Sequence, residues 1–76
     1  MIRKENALYS NLVSELLMEE LNARNMSHAE FAELSGIDES VIHELIGGTR
    51  SLTAESANLI GRALGTSTEI WLGLQD

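Results

Sequence analysis

The chain has no cysteine and no proline, and its 76 residues include a single Trp, a single Tyr and a single Phe. Without Cys, disulfide scaffolds, zinc knuckles and thiol nucleophiles are excluded together. Long apolar runs are missing too. Those present span a few residues, too short for a membrane span or a signal-peptide core, and the expected location is cytoplasmic. Cations are the third shortage. Five Lys and Arg stand against twelve Asp and Glu, a formal net charge of −7 and a pI near 4.6. Nucleic-acid binding draws affinity from cations that displace counterions, so a chain this acidic begins with a field of the wrong sign. Composition by itself favours a cationic protein partner over DNA.

What is present is an ordinary globular balance, 43 % hydrophobic and 22 % charged residues, far from a disordered chain. The length suits one compact unit and no second one. A fold this small buries only about 60 % of its unfolded surface, so a partner subunit would help. Apolar residues recur at helical spacing and no stretch alternates as a strand does. The expectation is a single all-α domain over residues 1–76 with five helices.

The first helix is expected from about Glu5 to Asn25. Leu8, Leu12 and Leu16 form one apolar row and Val13, Leu17 and Leu21 a parallel one, with Asn11, Glu15, Glu19 and Asn22 on the solvated face. Ser27 with Glu30 three residues later makes a capping box for a short helix from His28 to about Ser35, burying Phe31, Ala32 and Leu34. Gly36 and Ile37 form a turn. Asp38 caps a third helix, Glu39 to Ile46, with Ile42 and Leu45 inward and Gly47-Gly48 at its end. Thr53 caps a fourth, ending at Leu64 with Gly65 as a left-handed stop. Thr66-Ser67 offers a cap for a last segment containing Ile70, Trp71, Leu72 and Leu74.

Residues 27–47 have helix-turn-helix logic: small Ala32 where the second helix crosses, Gly36 where positive φ is needed, and Ile37 plugging the space between. Glu39, Ser40, His43 and Glu44 point outward, the positions that enter the major groove when such a motif binds DNA. Other features read more plainly. Trp71 fits packing, in the core or against a second copy. Gly61, in mid-helix at a cost of about 1 kcal/mol relative to Ala, implies close approach by another helix. Glu30 and Glu33 suit capping and solvation rather than paired catalytic carboxylates. His28 and His43 lack an acidic or thiol partner at ligand spacing, so no metal site is expected. No nucleophile–base pair and no phosphate-cradling Gly loop occurs, so neither an enzyme nor a cofactor is expected.

The motif resembles the XRE-type helix-turn-helix of lambdoid phage repressors, a lambda-repressor-like fold of five helices in this order. The tail, Ser51-Leu52-Thr53-Ala54-Glu55-Ser56-Ala57 and then Ala63-Leu64-Gly65-Thr66-Ser67-Thr68-Glu69-Ile70-Trp71-Leu72-Gly73-Leu74-Gln75, is similar to the HigA (VapI-like) antitoxins; with the motif, about fifty residues from Met26 to Gln75 follow that pattern. Ala54 and Thr68 replace the usual Pro at two helix starts, His28 replaces a phosphate-binding Gln, and Met1 to Tyr9 replaces the usual His-Pro-Gly-Glu opening. The acids of the third helix replace Arg or Gln. The resemblance implies a regulator that reads a double-stranded DNA operator as a homodimer. Glu39, Ser40, His43 and Glu44 would face bases, and Ser27, His28, Asp38, Thr49 and Arg50 would lie beside phosphates, with Arg24 a further cation for the backbone. The resemblance also implies a basic ribonuclease toxin as partner. Independently of the resemblance, the apolar segment from Ile70 to Leu74 is too large to leave exposed on a domain this small, so Ile70, Trp71 and Leu74 are expected to serve dimer contact or packing. The competing reading is an acidic protein-binding module on the same fold.

Overall fold

The computed structural model describes the backbone of residues 2–75 and the side chains of residues 12–75. Leu8 and Asn11, assigned to opposite faces of the first helix, therefore lie outside the described side chains. The described residues form five helices, α1 (Ile2–Ala23), α2 (His28–Ser35), α3 (Glu39–Gly47), α4 (Ala54–Leu64) and α5 (Thr68–Gly73). α3 packs on both α1 and α2, α2 also packs on α4, and α4 carries α5.

Local chemistry sets the helix ends. α1 ends at Ala23, and just beyond it Asn25 takes φ 55° while the Met26 N–H reaches back to the Leu21 carbonyl at 2.9 Å, a left-handed stop that Asn tolerates. The Ser27–Glu30 capping box forms: Ser27 Oγ accepts the Glu30 N–H at 3.1 Å and Glu30 Oε1 accepts the Ser27 N–H at 2.8 Å. A second box joins Thr53 and Ser56. Asp38 occupies the N-cap position of α3 but makes no side-chain cap bond. Only its carbonyl serves, accepting from Ile42 N–H at 3.1 Å. Gly36 sits at φ 83°, where a side chain would be strained, and this lets α2 turn into α3.

The core draws on every helix and both main loops: Val13, Leu17 and Leu21 of α1, Phe31 of α2, Ile37 of the turn, Ile42 and Leu45 of α3, Leu52 of the loop, Ala57, Ile60 and Leu64 of α4, and Trp71 of α5. Of the two rows on α1, Val13–Leu17–Leu21 is the one buried; Leu16 is half-buried and Leu12 is 38 % exposed. Leu34, expected inside, is 54 % exposed. On so short a helix Phe31 and Ser35 take the buried face. The Ser35 hydroxyl donates to the Phe31 carbonyl at 2.7 Å and accepts the Ile37 N–H at 3.2 Å, which secures the turn.

Trp71 is fully buried and its indole N–H donates to Thr66 Oγ1 at 2.7 Å. Leu72 and Leu74 lie half-buried against the same core, leaving Ile70 exposed at 52 %. Trp71 is thus a core residue of its own chain, and the expected apolar dimer segment shrinks to Ile70 and the open sides of its neighbours. The close approach at Gly61 is real, but the neighbour is the α4–α5 turn: a Cβ there would stand 2.8 Å from the Thr66 carbonyl oxygen. Thr68 donates its hydroxyl to Asn58 Oδ1 at 3.2 Å and ties α5 to α4. Past α5, the Gln75 carboxamide accepts the Leu52 N–H and donates to the Leu52 carbonyl at 3.2 Å.

Candidate nucleic-acid interface

α3 is short and strongly two-faced. Ile42 and Leu45 anchor it, so Glu39, Ser40, His43 and Glu44 all stand exposed on its outer side. Around this ridge, Ser27, Asp38, Thr49 and Arg50 are exposed and His28 is half-buried. The turn at Gly36 and the cap at Ser27 therefore gather the expected set on one region of α2, α3 and the loop after α3.

The outward residues engage one another. The His28 and His43 rings meet at a centroid distance of 4.4 Å and an angle of 72°. His28 Nδ1 is 3.1 Å from Nδ1 and 3.4 Å from Nε2 of His43. An atom so nearly equidistant from both nitrogens lies over the ring face rather than in line with one lone pair, so this is an edge-on-face contact. His43 also meets Glu39 one turn earlier on α3, with Oε2 3.5 Å from Nε2. The expectation that His43 lacks an acidic partner is thereby corrected: residues four apart on a helix are neighbours. No three His, Cys, Asp or Glu side chains converge as a metal ion requires among the described residues.

Cations are scarce at the interface. Arg50 Nε donates to Glu44 Oε1 at 2.6 Å, each side chain remaining about half exposed. The Thr49 N–H donates to the Glu44 carbonyl at 3.0 Å and its hydroxyl to the same oxygen at 3.4 Å, so the loop also closes the C-terminus of α3. Arg24, expected to help hold a DNA backbone, is engaged elsewhere. It pairs with Glu20 and donates to the Leu64 carbonyl at 3.1 Å, stabilising the end of α4. Arg62 lies in the last turn of α4, beside Leu34 and Leu59. At the N-terminus of α2, the Glu30 carboxylate already occupies the Ser27 N–H. The Ser35 brace, the His28–His43 contact and the Glu44–Arg50 pair escaped the sequence reading; a Ser at a helix end four residues after Phe31 was a signal for the first alone.

Comparison with known proteins agrees with this geometry. The helix-turn-helix family HTH_3 matches residues 17–71. The Escherichia coli (strain K12) protein named "Uncharacterized HTH-type transcriptional regulator YddM" is 34 % identical over 62 residues, covering 82 % of this chain and 66 % of its own length. A crystal structure of an HTH_3 family transcriptional regulator from Vibrio cholerae superimposes with a TM-score of 0.76 at 18 % identity, covering 90 % of this chain and 38 % of that one. The chain therefore spans about two thirds of the first relative and under half of the second. With the motif, the turn and the five-helix order all in place, the chain belongs to the HTH_3 helix-turn-helix family.

Proposed function

We propose that the chain is an XRE-type transcriptional regulator that binds double-stranded DNA through α3. The observation that carries this reading is the exposed row Glu39, Ser40, His43 and Glu44 on a helix anchored by Ile42 and Leu45. Its chemistry is unusual for the task. Carboxylates in the major groove accept from the cytosine amino group, while they repel phosphates nearby. The phosphate side falls to Arg50, to the Ser27 hydroxyl, to Thr49 once its hydroxyl leaves the Glu44 carbonyl, to His28, and to backbone amides beside Asp38 and in the first turn of α2 other than those of Ser27 and Glu30, which cap each other. That is a thin set for one subunit, and a homodimer on a palindromic site doubles it.

The test is a titration of the protein and its Glu39→Arg variant against its own promoter fragment and a scrambled duplex over a salt series. The variant changes the groove-facing charge by two units. It binds the scrambled duplex more tightly with a steeper salt dependence, and loses about 1–3 kcal/mol of discrimination on the promoter if Glu39 reads a cytosine. Unchanged affinities and salt slopes would mean that α3 does not face DNA.

The similarity of the tail to HigA-type antitoxins and the net charge of −7 support a finer reading, an antitoxin that represses its own operon and neutralises a basic ribonuclease toxin. A small basic open reading frame beside the gene, whose product is toxic alone and harmless when co-expressed, is the expected finding. The same charge supports a second reading, a protein-binding module whose acidic α3 docks on a cationic partner. In that case Glu39→Arg abolishes partner binding and creates DNA affinity where the parent has none.

A further inference from the structure

Glu44 and Arg50 were assigned separate tasks, one toward bases and one toward phosphate, yet they hold each other at 2.6 Å across the end of α3. Arg50 lies beyond the helix, on the loop that Thr49 folds back onto the Glu44 carbonyl. The backbone therefore presents the guanidinium to the carboxylate without a long side-chain excursion. Both groups are about half exposed, so the pair is of the weak, solvent-screened kind that a competing partner displaces. Arg24 is spent on Glu20 and the Leu64 carbonyl. Arg50 is thus the one described cation flanking the outer face of α3, and it starts out neutralised.

We propose that Glu44 is a specificity-determining residue that withholds Arg50 from phosphate until a base claims the carboxylate. On a duplex without the right base, Glu44 keeps Arg50 and the phosphate contact is not made. Where a cytosine stands opposite, its N4 amino group donates to Glu44, and the released guanidinium turns to the backbone. Adenine is a poorer trigger, because its N7 acceptor beside the N6 amino group faces the second carboxylate oxygen. The exchange makes one phosphate contact conditional on one base contact, so non-specific binding is held down in a protein with few cations. This rests on the DNA-binding reading above.

The experiment is a double-mutant cycle with E44Q, R50Q and E44Q/R50Q, titrated on the promoter fragment and a scrambled duplex from low to moderate salt. Circular dichroism confirms folding, which these exposed side chains leave intact. Gln keeps the size of Glu44 and removes its charge. E44Q is expected to bind the scrambled duplex about 2–5-fold more tightly, the strength of an exposed pair converted to affinity, with a salt slope steeper by about 0.9 per subunit. R50Q alone leaves the scrambled duplex unchanged but weakens the promoter fragment, and in the E44Q background it abolishes the gain. An E44Q gain that survives in E44Q/R50Q overturns the proposal, since general relief of repulsion would then suffice. So does R50Q weakening both duplexes alike, which would place Arg50 on phosphate from the start. If the parent protein and E44Q bind neither duplex at low salt, the DNA-binding reading itself fails and the proposal falls with it.

Discussion

Replacing Gly61 by Ala sets two known effects against each other at one position. In the interior of α4, Ala is favoured over Gly by about 1 kcal/mol. The added Cβ, however, would stand 2.8 Å from the Thr66 carbonyl oxygen, 3.3 Å from Ser67 C and 3.3 Å from Thr68 N. All three are backbone atoms, so no side chain can swing aside, and the turn must retreat by roughly half an ångström to restore ordinary contact. That turn is held on several sides. The Thr66 N–H donates to the Gly61 carbonyl at 2.8 Å, Ser67 caps α5 through the Ile70 N–H at 3.2 Å, and Thr66 Oγ1 receives the buried indole N–H at 2.7 Å. Overpacking of this kind costs about 1–3 kcal/mol, and a weakened hydrogen bond about 1 kcal/mol more. The net expectation for Gly61→Ala is a loss of about 2 kcal/mol, or roughly 8–16 °C in Tm for a domain of this size. Gly47 supplies the reference: it is helical, and a Cβ there meets nothing within 4 Å. Gly47→Ala should stabilise by about 0.4–1 kcal/mol. Urea and thermal unfolding followed by far-UV circular dichroism measure both. If Gly61→Ala unfolds at or above the parent's Tm, the turn is not the obstacle the geometry makes it, and the reasoning fails.

On α1, Leu17→Ala should cost about 2–5 kcal/mol as a cavity in the core, whereas Leu12→Ala, at an exposed site, should cost under about 1 kcal/mol; equal losses in urea unfolding would mean that both rows of α1 are buried. Sedimentation at tens of micromolar, the range of weak interfaces, should find a homodimer, and Ile70→Asp should shift it toward monomer with its helical circular dichroism spectrum unchanged. A parent chain that sediments as a clean monomer at that concentration would remove the dimer from the DNA-binding reading.

Some of this architecture was legible because its causes are local. α2 and α4 run over the residues their capping residues delimit, since Ser27 with Glu30, Thr53 and Gly65 act within one turn of themselves. The motif was legible for the same reason, Gly36 and Ile37 being constrained by the turn they make. What failed was arbitration between equivalent apolar positions. Leu12 and Val13 both satisfy a helical stripe, and only the tertiary packing of α1 decides that Val13 goes inside. Leu34 failed similarly, because α2 turns Phe31 and Ser35 inward instead. Asp38 has a capping residue's identity and position, yet its side chain makes no cap bond. At the site, exposure of the outward α3 residues followed from the two anchors on its other face. Their pairings did not, since His28 meets His43 across fifteen positions and Glu44 meets Arg50 beyond a helix end.

The carboxamide of Gln75, which holds both backbone groups of Leu52, makes that loop amide an exchange clock for the far end of the chain. A loop N–H facing water swaps its proton for deuterium quickly, whereas this one must wait for local opening. Leu52 follows Arg50 by two residues, and Gln75 follows the helix that buries Trp71. Release of α5 withdraws the Gln75 carboxamide and bares that amide, so deuterium uptake at Leu52 reports opening of the tail.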